Sequence, residues 1–413
     1  MSRSVVLAYS GGLDTSVCVK WLAERGYRVI AFMANVGQGH TLARLVARAK
    51  RAGASQVIIR DLRRTFITDY IWPALKADAV YEGKYLLATA LSRPLIARHL
   101  VEVAHRTRAR AVAHGCTGKG NDQVRFELTV RMLDPRLSII APVREWEFTS
   151  RGEQIDYCAR HRIPVDVTKQ SPYSIDENLW GTSIEAGPLE DPWREPPAET
   201  YRSIRAPQRA PGAPGYVTIG FQRGIPVELN GRRLDPLRLI ERLNRLAGTH
   251  GVGRSDLIES RVVGIKSREV YEAPAATVLY EAHQDLERLI LDRGLLSIKQ
   301  GLAITYAELV YGGLWCSPLK RTLDGFIQET QRHVTGTVRV KLFKGTCHAV
   351  GRTSPFGLYR KGLATYSGPD AFDRRAAEGF IKLWGLPYEG VLKTPRERER
   401  AYSVQRLAYR KNK

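Results

Sequence analysis

Residues 10–16, Ser-Gly-Gly-Leu-Asp-Thr-Ser, combine a flexible backbone with hydroxyl groups in a pattern suited to binding a phosphate. The adjacent glycines let the backbone approach an anion closely, and Ser10, Thr15 and Ser16 add hydrogen-bond donors. A helix that begins here would also offer free N–H groups and the positive end of its dipole. Asp14 suits a magnesium-related or loop-bracing role better than direct phosphate contact. The simpler alternative is a Gly-Gly turn with an Asp helix cap, and the spacing of a Walker A loop is absent.

Residues 114–127, HGCTGKGNDQVRFE, form a second segment suited to chemistry. Three glycines within six residues are costly in conformational entropy, which indicates that the chain passes close to another group. Asn121, Asp122 and Arg125 then offer an amide, a carboxylate and a guanidinium. Together with Thr117 this set suits an amino acid, with Asp122 for the ammonium and Arg125 for the carboxylate. The alternative is a glycine-rich loop before a solvated helix start.

Three further sets of polar residues have less specific patterns. Tyr85 with residues 89–93 and the pair Ser174 and Ser183 are, taken alone, more typical of structural positions. Residues 259–271 form either an ordered loop that reaches into a cleft or a surface loop. None of the nine histidines shows metal-ligand spacing, so the sequence predicts no metal-ligating residue.

The predicted elements place the first two segments at one edge of a sheet. Short, almost wholly apolar strands joined by helices indicate an α/β doubly wound parallel sheet covered on both faces. Ligands of such sheets bind beyond the carboxyl ends of the strands, which is where both segments lie. The predicted strands are residues 5–9, 28–33, 57–59, 111–114 and 138–141. The predicted helices are residues 14–25, 41–51, 94–107 and 123–133.

The second half of the chain has a mixed α+β pattern and ends in a polar helical arm from Pro395. We therefore predict a phosphate-binding domain over 1–168, an α+β domain over 169–362 and a C-terminal arm with a basic tail over 363–413. The predicted strands are residues 216–221, 225–229 and 337–342, and the predicted helices are residues 234–247, 276–291 and 307–314.

Composition indicates a globular protein with an unusual charge. The 413 residues include 64 Lys and Arg and 42 Asp and Glu, a formal net charge of +22, and 43% hydrophobic residues exclude a wholly disordered chain. The charge fits a nucleic-acid partner, an anionic surface or a solvated exterior. Because residues such as Arg44, Arg48 and Arg51 lie at exposed-looking helical positions away from the motifs, we expect mostly a solvated exterior and no nucleic-acid partner.

Five scattered cysteines form no CxxC pair, which argues against a disulfide scaffold or a cysteine zinc site and predicts a reducing cytoplasm. Cys116 has no paired base or second thiol in the sequence, so a nucleophilic role is not favoured. No apolar run approaches the roughly 18 residues of a membrane helix, and the apolar run at residues 4–9 is too short for a signal-peptide core. The sequence therefore predicts no membrane partner.

The motifs together resemble those of argininosuccinate synthases, a family of the PP-loop N-type ATP pyrophosphatase superfamily. Residues 10–16 would fit any PP-loop enzyme, whereas 114–127 is specific to this family. The matching segments follow the family's order across about residues 4–387. They are residues 8–16, 34–38, 81–83, 114–127, 189–193, 250–254 and 307–311.

The resemblance implies that citrulline, aspartate and ATP give argininosuccinate, AMP and pyrophosphate, with magnesium, in arginine biosynthesis. The ureido oxygen of citrulline would attack the α-phosphate to form a citrullyl adenylate, from which the aspartate amine displaces AMP. Such in-line chemistry depends on alignment and charge stabilisation rather than on a nucleophilic side chain. The resemblance also implies a homotetramer whose C-terminal arms clasp neighbouring subunits.

The resemblance further implies the site residues. Those for ATP are Ala8, Tyr9, Ser10, Gly11, Gly12, Leu13, Asp14, Thr15, Ser16, Ala34 and Gly115. Those for aspartate are Thr117, Asn121 and Asp122. Those for citrulline are Tyr85, Asn121, Arg125, Ser174, Ser183, Glu259 and Tyr271. Those with a catalytic role are Asp14, Asp122 and Arg125.

The chain departs from the family pattern at three positions. Ala90 stands where one branch has serine, and Ser92 is a candidate replacement for that hydroxyl. Ser260 and Thr182 stand where relatives commonly have Asn and Arg. Three alternatives remain: the same ATP chemistry on RNA, an inactive basic scaffold, and a paralogue with another ureido or amide acceptor. Scattered cysteines oppose the first, the intact motifs oppose the second, and Ala90 and Ser260 leave room for the third.

Overall fold

Five short apolar strands form a parallel sheet in the N-terminal part of the computed structural model, which describes residues 3–39, 42–165, 173–367 and 371–389. The strands are β1 (Arg3–Ala8), β2 (Tyr27–Asn35), β3 (Gln56–Asp61), β4 (Ala111–Ala113) and β5 (Ser138–Ile140). Their order is β3-β2-β1-β4-β5, and every pair is parallel. Val5, Val6 and Leu7 of the central strand are fully buried because helices cover both faces. The predicted doubly wound sheet is confirmed.

The helices of this part are α1 (Leu13–Glu24), α2 (Leu42–Ala52), α3 (Arg63–Phe66), α4 (Trp72–Lys76), α5 (Ala88–Thr107), α6 (Asp122–Leu133), α7 (Pro142–Glu145) and α8 (Arg151–Arg160). A π-helical turn, Ile67–Ile71, joins α3 to α4. The prediction that a helix starts at Pro94 was wrong, because Pro94 lies inside α5. Residues 88–92 are all buried, and that packing outweighs the backbone hydrogen bond that proline cannot make.

Two antiparallel sheets follow, and they confirm the predicted α+β character. The strands are β6 (Ser174–Asn178), β7 (Gly181–Glu185), β8 (Gly215–Gln222), β9 (Ile225–Leu229), β10 (Arg232–Arg233), β11 (Arg254–Ser260), β12 (Lys266–Glu272), β13 (Gly336–Phe343) and β14 (Thr346–Thr353). One sheet has the order β11-β12-β7-β6 and the other β10-β9-β8-β13-β14. Short 3-10 turns lie at Gly187–Glu190, Ala198–Thr200 and Pro207–Arg209.

The predicted loop over 259–271 is instead a β-hairpin made of β11 and β12, with Glu259 opposite Ser267 and Ser255 opposite Tyr271. Alternation along the strands puts Glu259, Glu269 and Tyr271 on one face. A strand with one solvated face usually alternates apolar and polar residues. Residues 259–271 lack this alternation because polar side chains also line the site, and for that reason their sequence indicated a loop.

The remaining helices are α9 (Pro236–Thr249), α10 (Pro274–Ile290), α11 (Arg293–Tyr311), α12 (Pro318–Thr330), α13 (Lys361–Ala364) and α14 (Ala376–Glu389). The helix predicted over 307–314 is the end of the longer α11 only as far as Tyr311, and residues 312–314 lie beyond the helix. The chain forms two compact units, Met1–Leu358 and Tyr359–Lys413, while the two predicted boundaries between the three domains stay a prediction. The arm predicted from Pro395 lies outside the described residues. Within the described ranges, no helix is both long and apolar enough to cross a bilayer.

A buried group of charges ties the loop after α4 to α10 and α11. Lys299 donates to Glu287 at 2.8 Å and also pairs with Asp78, while Nδ1 of His283 lies 3.2 Å from Asp78. Asp78, His283 and Glu287 place their potential ligand atoms within 4.8 Å of one another. The Lys299 ammonium supplies positive charge between the two carboxylates, so the group needs no ion for charge balance.

Candidate functional site

The 10–16 segment forms a tight loop between β1 and α1. Gly11 has φ +82°, and a Cβ there would lie 2.5 Å from Cδ2 of Leu45, so only glycine fits without strain. The Gly12 N–H donates to Oγ of Ser10 at 3.3 Å, and that oxygen lies 3.1 Å from Oγ1 of Thr15. Gly12, the residue before α1, has no side chain to cap the helix. A helix start without such a cap suits the binding of an anion.

Arg48 supports this loop from beneath. Its side chain is 3% exposed, and Nη1 donates to the Gly11 carbonyl oxygen at 2.5 Å. The expectation that Arg48 belongs to a solvated exterior was therefore wrong. The sequence pattern of α2 showed only that residue 48 is basic. The packing of α2 against the loop determines that the Arg48 side chain points inward.

Asp14 lies near Arg151 and Gln154 of α8, which favour its charged form. Burial raises the pKa of Asp14, and these two neighbours oppose that shift. These contacts favour the loop-bracing role of the two roles expected for Asp14.

Ala34 and Gly115 lie at the same edge of the sheet as the loop. The Tyr9 N–H donates to the Phe32 carbonyl at 2.8 Å, next to the end of β2 that contains Ala34. A Cβ at Gly115 would lie 3.0 Å from Cγ2 of Thr15, so the chain after β4 packs directly on the loop. A cleft of about 540 Å³ opens beyond β2. Its lining is Asn35, Gly37, Gln38, Leu42, Arg63, Glu177, Asn178, Leu179, Glu241, Asn244 and Arg245.

Asp122 lies between two arginines at the start of α6. Its Oδ1 accepts from Nη1 of Arg125 at 2.9 Å, and its Oδ2 accepts from Nε of Arg93 at 2.8 Å. Burial raises the pKa of Asp122, but the two guanidinium groups outweigh it and the net shift is downward. Arg93 also pairs with Asp176 of β6, which links the two parts of the chain. Thr117 lies on the exposed part of the preceding loop.

Arg125 is buried with one donor unused. Its side chain is 4% exposed, Nε donates to the Tyr311 carbonyl at 2.9 Å, and the guanidinium lies 4.9 Å from the centre of the Tyr311 ring. Nη2 is buried and, among the described residues, has no hydrogen-bond partner. A buried guanidinium nitrogen without a partner is costly, and a ligand carboxylate would satisfy it.

Glu259 anchors a cluster of tyrosines beside Arg125. The carboxylate is 1% exposed and accepts from Tyr271 at 2.5 Å and from Tyr311 at 2.6 Å. The ring of Tyr85 stacks on Tyr271 at 4.3 Å, and Tyr81 stacks on Tyr311 at 3.5 Å. The site-residue prediction contained neither Tyr81 nor Tyr311, although both lie in segments that matched the family.

Asn121 joins this cluster to the hairpin loop. Its amide donates to the Tyr311 hydroxyl at 2.7 Å and accepts from the Val262 N–H at 2.8 Å. Ser174 lies exposed on β6, opposite Glu185. The structure thus places Asn121, Arg125, Glu259, Tyr85 and Tyr271 close together, with Ser174 and Ser183 on the adjoining β6–β7 hairpin.

The hydroxyl next to Ser183 comes from Thr89, not from Ser92. Thr89 Oγ1 lies 3.0 Å from Ser183 Oγ, and both side chains are buried. The Ser92 hydroxyl donates to the Thr89 carbonyl at 2.9 Å within the same helix and is fully buried. Ser92 is therefore not positioned as the replacement for a hydroxyl at Ala90.

Two carboxylates flank one arginine at the edge of the cluster. Arg261 pairs with Glu185, lies 3.2 Å from Oε1 of Glu269 and donates to the Lys119 carbonyl. Burial, followed by the charges of Glu259 and Glu185, raises the pKa of Glu269 to about 8. The folded protein therefore holds a proton at Glu269 near neutral pH that an exposed glutamate would release.

Replacing Glu269 with Gln should change how stability depends on pH. The pKa of Glu269 in the folded protein, about 8, lies above the ordinary value of 4.5. The contribution of Glu269 to the free energy of unfolding is therefore fully present below pH 4.5 and is lost as pH rises through 8. We expect the free energy of unfolding of Glu269→Gln, relative to wild type, to increase by about 1 kcal/mol or more between pH 5 and pH 9. Urea unfolding at both pH values measures it. Glu308→Gln, at an exposed position of α11, should show no such difference, and equal offsets for Glu269→Gln at both pH values would contradict the assignment.

Comparison with known proteins gives one consistent result. Residues 4–164 match the arginosuccinate synthase N-terminal HUP domain, and residues 173–390 match the arginosuccinate synthase C-terminal domain. Argininosuccinate synthase of Aquifex aeolicus is 56% identical over 387 residues, which cover 93% of this chain and 96% of that one. Those of Pelotomaculum thermopropionicum and Rubrobacter xylanophilus are 56% and 54% identical, again over 93% of this chain and over 96% and 94% of theirs.

Solved structures give a much weaker likeness. A tRNA methyltransferase subunit from Methanocaldococcus jannaschii and a 4-thiouridine synthetase–RNA complex with bound ATP each align with 38% of this chain, and with 76% and 40% of their own. Their TM-scores are 0.28 and 0.29 and their identities 14% and 16%, too low to bear on function.

Proposed function

The chain belongs to the argininosuccinate synthase family, and on that premise we propose how its residues hold the substrates of the family reaction. The protein is an ATP-dependent ligase that joins citrulline and aspartate into argininosuccinate and releases AMP and pyrophosphate. The single observation that carries the assignment of residues is that Arg125 and Glu259 both contact Tyr311. A buried cation with an unused donor and a buried carboxylate lie on either side of Tyr311.

Citrulline binds in the cluster around Tyr311. Nη2 of Arg125 receives the α-carboxylate, and the carboxylate of Glu259 faces the α-ammonium, since both charges are buried and need partners. Tyr85 and Tyr271 contact the aliphatic stem, while Ser174 and Ser183 supply hydroxyl groups from the β6–β7 hairpin. Thr89 joins this set because its hydroxyl lies beside that of Ser183.

ATP binds where the loop 10–16, Ala34 and Gly115 meet, and the cleft beyond β2 has room for its base and sugar. The hydroxyl groups of Ser10 and Thr15 and the backbone before α1 hold phosphate oxygens. The fully buried Ser16 supports the loop instead, because its hydroxyl donates to the Gly12 carbonyl at 2.7 Å. Phosphate oxygens are hard ligands that fit Mg²⁺ bound together with the triphosphate, while Asp14 braces the loop against α8. The ion would neutralise negative charge on the leaving pyrophosphate.

Aspartate binds between these two substrates. Thr117, Asn121 and Asp122 follow Gly115, which packs on the ATP loop. At the other end, Asn121 contacts Tyr311 and Asp122 contacts Arg125, both in the citrulline cluster. Asp122 keeps a negative charge because two arginines lower its pKa, which suits it to hold the aspartate ammonium before attack. Alignment of the amine with the activated ureido carbon then provides most of the catalysis.

The decisive experiment measures pyrophosphate and AMP release by the purified protein. We expect release at the full rate only with ATP, citrulline, aspartate and Mg²⁺ together, and argininosuccinate as the product. Full turnover with either amino acid omitted would contradict the ligase. Comparison of citrulline with homocitrulline, which has one more methylene, tests the paralogue alternative, and a preference for the longer acceptor would favour it.

We propose that the protein acts as a cytoplasmic homotetramer. The five cysteines are all free, as a reducing compartment favours. The apolar side chains of α14 support assembly, because an amphipathic helix with exposed apolar groups needs a partner surface. They are Phe380, Ile381, Leu383, Trp384, Leu386 and Tyr388, each at least 57% exposed. Light scattering after gel filtration measures the mass, and a monomer at micromolar concentration would contradict the tetramer.

A further inference from the structure

The imidazole of His114 lies beneath the glycine-rich loop 115–120 and is 2% exposed. The N–H of Cys116 donates to its Nδ1 at 3.3 Å, and its Nε2 lies 3.2 Å from Oε1 of Glu127. An amide N–H can only donate, so Nδ1 must be the nitrogen without a proton. The ring proton then lies on Nε2 and points at the carboxylate, and one neutral tautomer satisfies both neighbours.

Two other side chains hold the far end of the same loop. Nε2 of Gln123 donates to the carbonyl oxygens of Gly118 and Gly120, at 2.6 and 3.2 Å. Oε1 of Gln123 accepts from Nη1 of Arg144 at 3.0 Å, and Nη2 of Arg144 lies 2.7 Å from Oε1 of Glu127. His114, Gln123, Glu127 and Arg144 therefore form one connected clamp, called here the loop clamp.

The loop that this clamp holds serves two of the three substrates. Gly115 packs against Thr15 of the phosphate-binding loop, and Thr117 is the first of the aspartate residues. The citrulline residues Glu259 and Tyr271 lie on the β11–β12 hairpin instead. A loop with three glycines has many conformations when free, so contacts that select one of them determine how it presents its groups.

We propose that His114 is a positioning residue for the ligase reaction. Its Nδ1 fixes the amide of Cys116 and thereby aligns Gly115 toward ATP and Thr117 toward aspartate. The effect falls mainly on these two substrates. Citrulline binding changes less because Glu259 and Tyr271 lie on the β11–β12 hairpin, which meets the loop away from His114, at Lys119 and Asn121. This inference rests on the proposed function for the roles of the two substrates, while the geometry of the clamp stands independently of it.

Two amide substitutions test the two imidazole nitrogens separately. His114→Asn keeps a hydrogen-bond acceptor for the Cys116 N–H, near the position of Nδ1, and loses the donor to Glu127. His114→Gln keeps a donor to Glu127, near the position of Nε2, and loses the acceptor for the Cys116 N–H. We expect His114→Gln to raise the KM for ATP and for aspartate about tenfold and to change the KM for citrulline less than about twofold. His114→Asn should keep all three KM values within about threefold of wild type.

Binding of ATP without the amino acids, measured by calorimetry, supplies a second readout that needs no turnover. The Kd should rise about tenfold in His114→Gln and little in His114→Asn. His105→Gln is the matched control, because His105 is half exposed and pairs with Asp134 away from the loop. Equal losses in both His114 variants across all three substrates, in proportion to their loss of unfolding free energy, would overturn the proposal. A wild-type protein without ligase activity would contradict the proposed function alone, since the ATP Kd values still test the clamp.

Discussion

Replacing Arg125 with Lys is expected to lower kcat/KM for citrulline by about 10² to 10³-fold. Arg125 uses its planar fork three ways: Nε binds the Tyr311 carbonyl, Nη1 binds Asp122, and Nη2 is left for the ligand. An ammonium is a single point of charge and cannot reach three directions at once. Loss of two charge-assisted hydrogen bonds at the weaker end of their usual strength, about 3–4 kcal/mol together, accounts for the expected range.

The measurement varies citrulline at saturating ATP and aspartate and follows pyrophosphate release. Arg131→Lys is the matched control, since Arg131 lies exposed on the same helix, and it should leave kcat/KM unchanged. Urea unfolding shows whether the Arg125→Lys protein is folded. A folded Arg125→Lys protein with wild-type kcat/KM for citrulline would remove Arg125 from the binding site.

Replacing Glu259 with Gln is expected to lower kcat/KM for citrulline by about 10²-fold and stability by about 1–3 kcal/mol. The carboxylate accepts hydrogen bonds from Tyr271 and Tyr311 on its two oxygens. An amide of the same shape turns an NH₂ group toward one hydroxyl and removes the charge that faces the ligand ammonium. Both changes leave a buried polar group without its partner.

A substrate analogue separates the two effects. 5-Ureidopentanoate lacks the α-ammonium of citrulline, so wild type and Glu259→Gln should use it with nearly equal kcat/KM if Glu259 binds that ammonium. The same 10²-fold difference with the analogue would show that Glu259 acts only through the two tyrosines. Glu228→Gln, at a half-buried position of β9 in the other sheet, is the control and should behave as wild type.

The sequence predicted much of the candidate site because two of its segments lie directly after strands that have a clear apolar pattern. Residues 10–16 lie directly after β1, and residues 114–127 lie directly after β4. In a parallel sheet the carboxyl ends of neighbouring strands share one edge, and β1 pairs with β4. The closeness of Gly115 to Thr15 is thus a consequence of strand order.

The sequence did not predict which groups the individual side chains contact. Arg48 looked like an exposed helical residue and is buried under the Gly11 carbonyl. Ser92 looked like the available hydroxyl, but a helix turns side chains by about 100° per residue, and Thr89 faces Ser183 instead. Which face of a helix packs on which neighbour depends on all the surrounding elements at once.

The sequence by itself determined the chemistry available and the order of the elements, because motif spacing and strand periodicity are local properties. It also carried the family resemblance, which the comparison with relatives confirmed. Only the tertiary structure decided that Glu259 and Glu269 share a buried face, and that Tyr311 joins Glu259 to Asn121. The two contacts of Tyr311 link residues 52 and 190 positions apart. Their strength comes from burial, where charges and hydroxyls must satisfy one another in the absence of water.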